Sequence, residues 1–172
     1  MQVFIGLGSN LADPQQQVLL AQRDLSALPE TTCIAHSSLY KSPPMGPQDQ
    51  PDFINAVSAI ETTLSPDTLL DYLQQIERQH GRVKQRHWGE RTLDLDILVY
   101  GDRQIEDAHL NVPHKGIAER AFVLYPLAEI APNLDIPGLG PIKQLLALCP
   151  NSGLERLEAK KTLIHLYHNV IL

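Results

Sequence analysis

Two acidic residues interrupt an otherwise apolar stretch, RTLDLDILVY at residues 91–100. The alternation of Asp94 and Asp96 with leucine and isoleucine is typical of a β-strand, in which successive side chains point to opposite faces. Both carboxylates therefore share one face. That face is predicted to hold Thr92, Asp94, Asp96, Leu98 and Tyr100.

Two carboxylates on one strand face repel each other unless a cation lies between them or they share a proton. Oxygen ligands of this kind suit Mg²⁺, which takes few protein carboxylates and completes its shell with water and phosphate oxygens. The alternative is an edge strand whose inward-pointing charges prevent aggregation. The D-x-D pattern of Asp94 and Asp96 alone does not decide between these interpretations.

The segment before the acids is strongly basic. Five of the fourteen basic residues fall between residues 78 and 91, against the single acid Glu90. Cations beside a metal-binding pair favour a phosphate site, and the alternative is a solvated loop that pairs with the acids. Trp88 could close over a flat ligand or anchor the loop. The basic residues are Arg78, Arg82, Lys84, Arg86 and Arg91.

Two further segments carry groups that could bind a ligand. In SPPMGPQDQPDFINA (42–56), Phe53 and Asn55 share a strand face and could stack on and hydrogen-bond a flat heteroaromatic ring. They could equally be a core residue and an edge residue. VPHKGIAERAF (112–122) adds His114 and Arg120, which could contact a phosphate or have structural roles. GLGSN (6–10) is interpreted as a turn, because Leu11 replaces the third glycine of a dinucleotide-binding motif.

The order of predicted elements is that of a ferredoxin-like βαββαβ core with a mostly antiparallel sheet and two long loops. Asp13 is predicted to cap the first helix and Ser65-Pro66-Asp67 to begin the second, which Gly81 ends. The predicted strands cover 3–7, 32–40, 53–61 and 93–100, and the predicted helices cover 14–28, 66–80 and a segment beginning near 119.

Composition limits the functional classes. The 172 residues suit one domain, and a net charge of −6 argues against broad binding of nucleic acid. No apolar run approaches the length needed to span a bilayer, and the start MQVFIGLGSN lacks the charged region of a signal peptide. Cys33 and Cys149 have no metal-binding spacing. We therefore expect a reduced, cytoplasmic protein without a membrane partner.

Four segments, in this order and at this spacing, resemble the 6-hydroxymethyl-7,8-dihydropterin pyrophosphokinase family. The R-x-L-D-L-D-I stretch with its upstream W-G, and the P-P-x-G-P-Q-D-Q-P loop, are highly specific to it. The resemblance covers about residues 2–137 and leaves 151–172 unassigned. The segments are GLGSNL, SPPMGPQDQPDFINA, GRVKQRHWGERTLDLDILVYG and VPHKGIAERAFVLYPLAEIAP.

The resemblance implies a single α+β domain over residues 1–172, built in α/β/α layers. It also implies transfer of a pyrophosphoryl group from ATP to the pterin hydroxymethyl group, releasing AMP, in folate biosynthesis. We expect the protein to be a monomer. By motif match, two Mg²⁺ ions would be held by Asp94 and Asp96, which with Arg82 and Arg91 form the catalytic set.

The same motif match assigns the remaining ligand contacts. The pterin would stack between Phe53 and Phe122, hydrogen-bond Asn55 and lie against Ser42, Pro43 and Met45. The basic loop would close as a lid after ATP binds. The ATP contacts would come from Leu70, Gln74, Glu77, Arg82, Lys84, Trp88, Arg91, Ile97, His114 and Arg120, with Leu70 and Ile97 flanking adenine.

The chain departs from the family pattern at five positions, most of them in the loops. Lys84, His87 and Glu90 differ in the basic loop, Lys115 replaces a frequent aromatic residue, and Phe53 lacks the hydroxyl of a frequent tyrosine. Three alternatives therefore stay open. They are another Mg²⁺-dependent phosphoryl or nucleotidyl transferase, a ferredoxin-like module that binds RNA, and a pterin-binding protein that has lost catalysis.

Overall fold

The computed structural model describes residues 1–81 and 89–158 of the chain. The helices in these ranges are α1 (Pro14–Ser26), α2 (Pro66–Gln79), α3 (Ala121–Ile130) and α4 (Ile142–Leu148). The strands are β1 (Gln2–Ser9), β2 (Thr31–His36), β3 (Tyr40–Ser42), β4 (Phe53–Thr62), β5 (Asp94–Tyr100), β6 (Ile105–Glu106), β7 (Asn111–Val112), β8 (Asp135–Ile136), β9 (Gly140–Pro141) and β10 (Glu155–Arg156).

One antiparallel sheet forms the centre of the fold. Its strand order is β10-β3-β4-β1-β5, and β2 pairs with the other half of β4. The predicted strand over 32–40 is thus two strands, β2 and β3, which share β4 as partner. With this division, the chain order β1-α1-β2/β3-β4-α2-β5 confirms the predicted βαββαβ core.

Helices cover both faces of the sheet. On one face, Leu25 of α1 and Leu73 of α2 pack in a core with Ile5. On the other face, Leu124 of α3 and Ile142 of α4 pack in a second core. All five side chains are inaccessible to solvent. The predicted α/β/α layering is therefore confirmed.

The two core helices begin differently. The Ser65 side chain accepts a hydrogen bond from the Thr68 N–H at 3.2 Å, as the cap prediction for α2 requires, and Gly81 follows the helix with φ 77°. Asp13 precedes α1 in a left-handed conformation, and its side chain makes no capping hydrogen bond. The prediction of a side-chain cap at Asp13 was wrong, because its left-handed backbone departs from the extended conformation in which N-cap side chains accept from the first turn.

The first strand is longer than predicted. Gly8 and Ser9 belong to β1, where Gly8 pairs with Asn55 on one side and Asp94 on the other. The interpretation of GLGSN (6–10) as a turn was therefore wrong for every residue except Asn10, since β1 continues to Ser9. Glycine has little intrinsic preference for a strand, but pairing with neighbours on both sides overrides that local tendency.

A β-bulge divides β5 into two parts. Phe4 pairs with Val99 and Ile5 with Ile97, so that Leu98 is the additional residue. Beyond the bulge, Tyr100 packs in the core beside α2 and donates a hydrogen bond to the Leu64 carbonyl. The prediction that Tyr100 shares the face of the acids was wrong, because a bulge reverses the alternation of faces.

Several residues of the predicted basic loop, and most of the C-terminal segment that the sequence left unassigned, lie outside the described residues. They are Arg82, Lys84, Arg86, His87 and Trp88 of the basic loop and the segment 159–172. Among the residues that are described, no helix is both long enough and apolar enough to cross a membrane.

His80 joins the two core helices. Its Nδ1 lies 2.6 Å from Gln17 Oε1 and its Nε2 lies 2.8 Å from Asp24 Oδ2.

Because the ring is only 9% exposed, the His80→Ala variant should lose both bonds without replacement by water, and its free energy of unfolding should fall by about 1–3 kcal/mol. Urea denaturation measures this. The matched control is His109→Ala, whose exposed ring predicts a change within about 0.5 kcal/mol; equal losses in both variants would contradict the role of His80.

Candidate functional site

A cleft of about 260 Å³ opens above the ends of β4, β1 and β5. One wall is the proline-rich loop between β3 and β4, and the opposite wall is the turn before α3 with the first residues of that helix. The structure brings eleven of the residues predicted from sequence to this cleft. They are Ser42, Pro43, Met45, Phe53, Asn55, Arg91, Asp94, Asp96, His114, Arg120 and Phe122.

Glycines of β1 form part of the floor of the cleft. Gly8 lies in register between Asn55 of β4 and Asp94 of β5, and Gly6 lies opposite Asp96. A Cβ atom at Gly8 would stand 3.1 Å from Asn55 Oδ1. A side chain at Gly8 would therefore crowd the Asn55 amide, a role of this glycine that sequence reasoning missed. The available signal was the two-residue spacing of GLG, which matches the spacing of DLD in the paired strand.

The negative charges of Asp94 and Asp96, which face this floor, are only partly compensated by nearby arginines. Arg91 Nη1 lies 3.1 Å from Asp94 Oδ1. Desolvation inside the cleft raises the pKa of Asp96, and the negative charges of Asp94 and Glu77 raise it further. The positive charges of Arg91 and Arg120 lower this pKa but do not cancel the increase. The site therefore has the electrostatic demand for an additional cation.

His114 approaches the acid pair as a neutral imidazole. Burial, and secondarily the charge of Arg120, lowers its pKa against the effect of Asp94. Its Nδ1 accepts a hydrogen bond from the Gly116 N–H at 3.0 Å, which assigns the ring proton to Nε2. That nitrogen lies 4.0 Å from Asp96 Oδ2. His114 thus presents an N–H donor, rather than a base, to the cleft.

The donor set fits a hard divalent cation. Asp94 and Asp96 lie two residues apart at the mouth of β5, and the Asp96 side chain is still 42% exposed. Within the described ranges, no group of three or more His, Cys, Asp or Glu residues is arranged to hold a metal. Two carboxylates with open coordination positions suit Mg²⁺, which keeps water or phosphate oxygens in its shell.

Four of the residues predicted to contact ATP do not line this cleft. Leu70 packs against the core on the α2 side, and Ile97 is 3% exposed in that core. Gln74 is an exposed residue of α2. Glu77 is buried and accepts a hydrogen bond from the Leu95 N–H at 2.9 Å, which fixes α2 to β5. Of these four residues, Leu70, Gln74 and Glu77 belong to α2 and Ile97 to the edge strand β5.

Asn10 connects the two segments that border the cleft. Its Nδ2 donates to Gln50 Oε1 and to the Pro51 carbonyl, each at 3.0 Å. Its Oδ1 accepts from the Arg91 N–H at 2.8 Å, and its own N–H donates to the Arg91 carbonyl at 3.0 Å. Asn10 is 2% exposed, so these bonds are shielded from water. Sequence reasoning interpreted this residue only as part of a turn, because every partner is distant along the chain.

The wall beside the proline-rich loop is fixed by a buried pair of polar side chains. Asn55 Nδ2 donates to Ser42 Oγ at 2.7 Å, and both residues are 5% exposed. This bond determines the orientation of the Asn55 amide, whose Oδ1 lies over Gly8. Phe53 and Phe122 are half-buried in the lining, and Met45 is 51% exposed. An apolar wall with one oriented amide suits a flat heteroaromatic ring.

Two of the proteins similar to this chain carry the same name. The Pseudomonas aeruginosa 2-amino-4-hydroxy-6-hydroxymethyldihydropteridine pyrophosphokinase is 51% identical over 155 residues, which are 90% of this chain and 96% of the relative. The Haemophilus influenzae protein of the same name is 52% identical over 143 residues, which are 83% of this chain and 89% of the relative.

Solved structures show the same fold. The wild-type Plasmodium falciparum HPPK-DHPS structure with STZ-DHP matches with a TM-score of 0.67 at 14% identity. The match covers 86% of this chain and 43% of that chain, so this protein spans less than half of its length. At this identity the likeness concerns the fold alone.

The family model described as 7,8-dihydro-6-hydroxymethylpterin-pyrophosphokinase (HPPK) matches residues 4–132. That range contains the acid pair, the glycine floor and both walls of the cleft. With this match and two relatives above 50% identity, the chain belongs to the 7,8-dihydro-6-hydroxymethylpterin-pyrophosphokinase family.

Proposed function

We propose that this protein transfers the pyrophosphoryl group of ATP to the hydroxymethyl group of 6-hydroxymethyl-7,8-dihydropterin in the cleft above β1. Family membership and the names of the relatives support pyrophosphokinase activity in folate biosynthesis. The observation that carries the proposal is the row Asn55–Gly8–Asp94 across three strands. The outer two of these positions are about 10 Å apart, with no side chain between them, which leaves room for an acceptor and a phosphate to meet.

The acceptor would occupy the apolar wall. We assign stacking contacts to Phe53 and Phe122 and a hydrogen bond to the Asn55 amide, which Ser42 orients. The ring edge would lie against Pro43 and Met45. In this position the hydroxymethyl group points along the glycine floor toward the acids.

The donor would bind on the side of β5. We assign two Mg²⁺ ions to Asp94 and Asp96, which would hold them; bound Mg²⁺ would supply positive charge to neutralise the phosphates of the donor. Arg91, Arg120 and the Nε2–H of His114 would contact the triphosphate. Arg82, Lys84 and Trp88 would add contacts from the basic loop, with Leu70, Gln74, Glu77 and Ile97 on the nucleotide side.

Catalysis would depend on position and charge. The acceptor oxygen would bond to the β-phosphorus while the bond from that phosphorus to the bridging oxygen of the α-phosphate breaks, and the hydroxyl proton would be released as AMP departs. In-line attack requires both substrates to be held in one geometry. Asn10 serves this purpose by fixing the Arg91 backbone to the loop that holds the acceptor.

The Asp96→Asn variant tests the assignment of the acids. It should lose AMP formation by more than about 100-fold, because an amide is a poor ligand for Mg²⁺. The charges of Asp94 and Glu77 help to raise the pKa of Asp96 to about 8, so Asp96 is ionised and repelled by them above that pH. Above pH 8 the metal-free variant should therefore unfold at a higher temperature than wild type, and the difference should shrink as the pH falls below the pKa of Asp96. Chromatographic detection of AMP and calorimetry with and without Mg²⁺ measure both effects.

The control is Asp102→Asn in an exposed turn, which should leave AMP formation and the Mg²⁺-dependent shift in unfolding temperature unchanged. If the Asp96→Asn variant makes AMP at the wild-type rate, the metal assignment is wrong. Formation of ADP in place of AMP by the wild-type protein would contradict pyrophosphoryl transfer.

The Gly8→Ala variant tests the glycine floor. A methyl group 3.1 Å from Asn55 Oδ1 should displace that amide and raise the KM for the pterin about tenfold, with a much smaller effect on the KM for ATP. Alanine has fewer accessible backbone conformations than glycine in the unfolded chain, so the substitution lowers the entropy of the unfolded state. We therefore expect no decrease in the unfolding temperature from a change in backbone entropy. Steady-state kinetics with each substrate varied in turn measures the effect, and an unchanged pterin KM would remove Gly8 from the acceptor site.

A further inference from the structure

Strand β10 extends the sheet beyond β3. Glu155 pairs with Lys41 and Arg156 with Tyr40, and the Leu157 N–H donates to the Leu39 carbonyl at 2.8 Å. This addition lies outside residues 4–132, which match the family model. Its position brings the end of the described chain to the strand that leads into the proline-rich loop.

One carboxylate contacts both of these strands. Glu129 of α3 accepts hydrogen bonds from the Ser38 N–H and from Tyr40 Oη at 3.1 Å, and it forms an ion pair with Arg156, whose Nη2 lies 3.1 Å from Glu129 Oε1. Arg156 Nε also donates to Ser38 Oγ at 3.1 Å. We call these four residues the Glu129 cluster. It joins α3, β10 and the chain at the start of β3 through a single side chain.

The elements that the Glu129 cluster joins carry opposite walls of the cleft. The first turn of α3 holds Phe122, and β3 ends at Ser42, which orients Asn55. Tyr40 pairs directly with Asn55 in the sheet. Glu129 therefore sets the distance between α3 and β3 at the C-terminal end of α3. That distance determines the separation between Phe122 and the Ser42–Asn55 pair, the space assigned to the pterin, which we call the acceptor slot.

Burial indicates which members of the cluster carry most of the constraint. The Glu129 side chain is 19% exposed and Tyr40 is 6% exposed, whereas the Arg156 side chain is 64% exposed. Burial and the charge of Glu129 raise the pKa of Tyr40 to about 12, so its hydroxyl remains a donor across the neutral range. The contacts of Glu129 with Ser38 and Tyr40 are therefore the strong ones, and the exposed pair with Arg156 adds less.

We propose that Glu129 is a positioning residue for the acceptor: by tying α3 to β3 it fixes the separation between Phe122 and the Ser42–Asn55 pair. This role rests on the proposed function, because it concerns the slot assigned to the pterin. Glu129 itself is not in the lining of the cleft and acts through the β3 backbone. Most of the donor side does not depend on the cluster, since Asp94 and Arg91 are held by β5 and Asn10. Among the described donor contacts, Arg120 at the start of α3 is the one that shares an element with Glu129.

The experiment compares Glu129→Gln and Arg156→Ala with the control Arg103→Ala, whose exposed guanidinium lies 6.0 Å from the Tyr100 ring centroid. The KM of each substrate and kcat are measured by AMP formation. Affinity for 6-hydroxymethyl-7,8-dihydropterin is measured by calorimetry with Mg²⁺ and α,β-methylene-ATP, in which the scissile bridge is blocked. Glutamine keeps the size of glutamate, so the variant is expected to fold.

The expected result is a rise of about fivefold in the pterin KM and Kd for Glu129→Gln, and about twofold for Arg156→Ala. The Arg156→Lys variant, which keeps the charge but not the Nε bond to Ser38, should lie between Arg156→Ala and wild type. The ATP KM should stay within about twofold in every variant. Arg103→Ala should match wild type throughout.

Two outcomes would overturn the inference. A lower unfolding temperature with unchanged KM values would reduce Glu129 to a structural role, and an equal rise in the KM of both substrates would remove its selectivity for the acceptor side. Failure of the wild-type protein to form AMP is a separate result, which overturns the proposed function and this inference with it.

Discussion

The repulsion between two carboxylates on one face of β5 is the constraint on which the rest of the site depends. The sheet holds Asp94 and Asp96 there by pairing β5 with β1, and the buried Glu77 adds a third negative charge nearby. Arg91 and Arg120 offset this charge only in part. The fold therefore keeps the site in a state that favours a cation, which in turn would allow anionic phosphates to bind, at the expense of the stability of the unliganded protein.

Contacts between residues distant along the chain hold the surroundings of these acids. Asn10 joins Arg91 to the proline-rich loop through buried hydrogen bonds, and Glu129 joins α3 to the start of β3. Neither residue is a ligand-binding group in the proposed mechanism. Their shared feature is that each contacts several backbone or side-chain partners at once, which fixes the spacing between the segments that form the walls of the cleft.

Local rules explain which elements were predictable from sequence. Ser65 and Gly81 bound α2 as expected, because caps depend on a few adjacent residues. The shared face of Asp94 and Asp96 follows from the two-residue period of a strand. Gly8 was assigned to a turn because its strand conformation depends on β4 and β5, which the local sequence does not contain.

The most consequential contacts were invisible for the same reason. Glu129 and Ser38 are 91 residues apart in the chain, and Asn10 and Arg91 are 81 apart. Hydrophobic periodicity reports which side of an element is buried, but it does not report which distant polar group lies opposite. The family resemblance supplied the ligand-binding set, whereas the residues that position it emerged only from the three-dimensional contacts.

The bulge at Leu98 has a consequence for how this protein can change over evolution. It lets one strand serve two independent surfaces, since the end that carries the acids faces the cleft while Tyr100 closes the opposite core against Leu64. Substitutions at Tyr100 can therefore repack the core beside Leu64 at a distance from the acids, whereas substitutions at Leu95 or Ile97 also change the core beneath α2. Stability can thus change at the far end of this seven-residue strand without a substitution in the cleft.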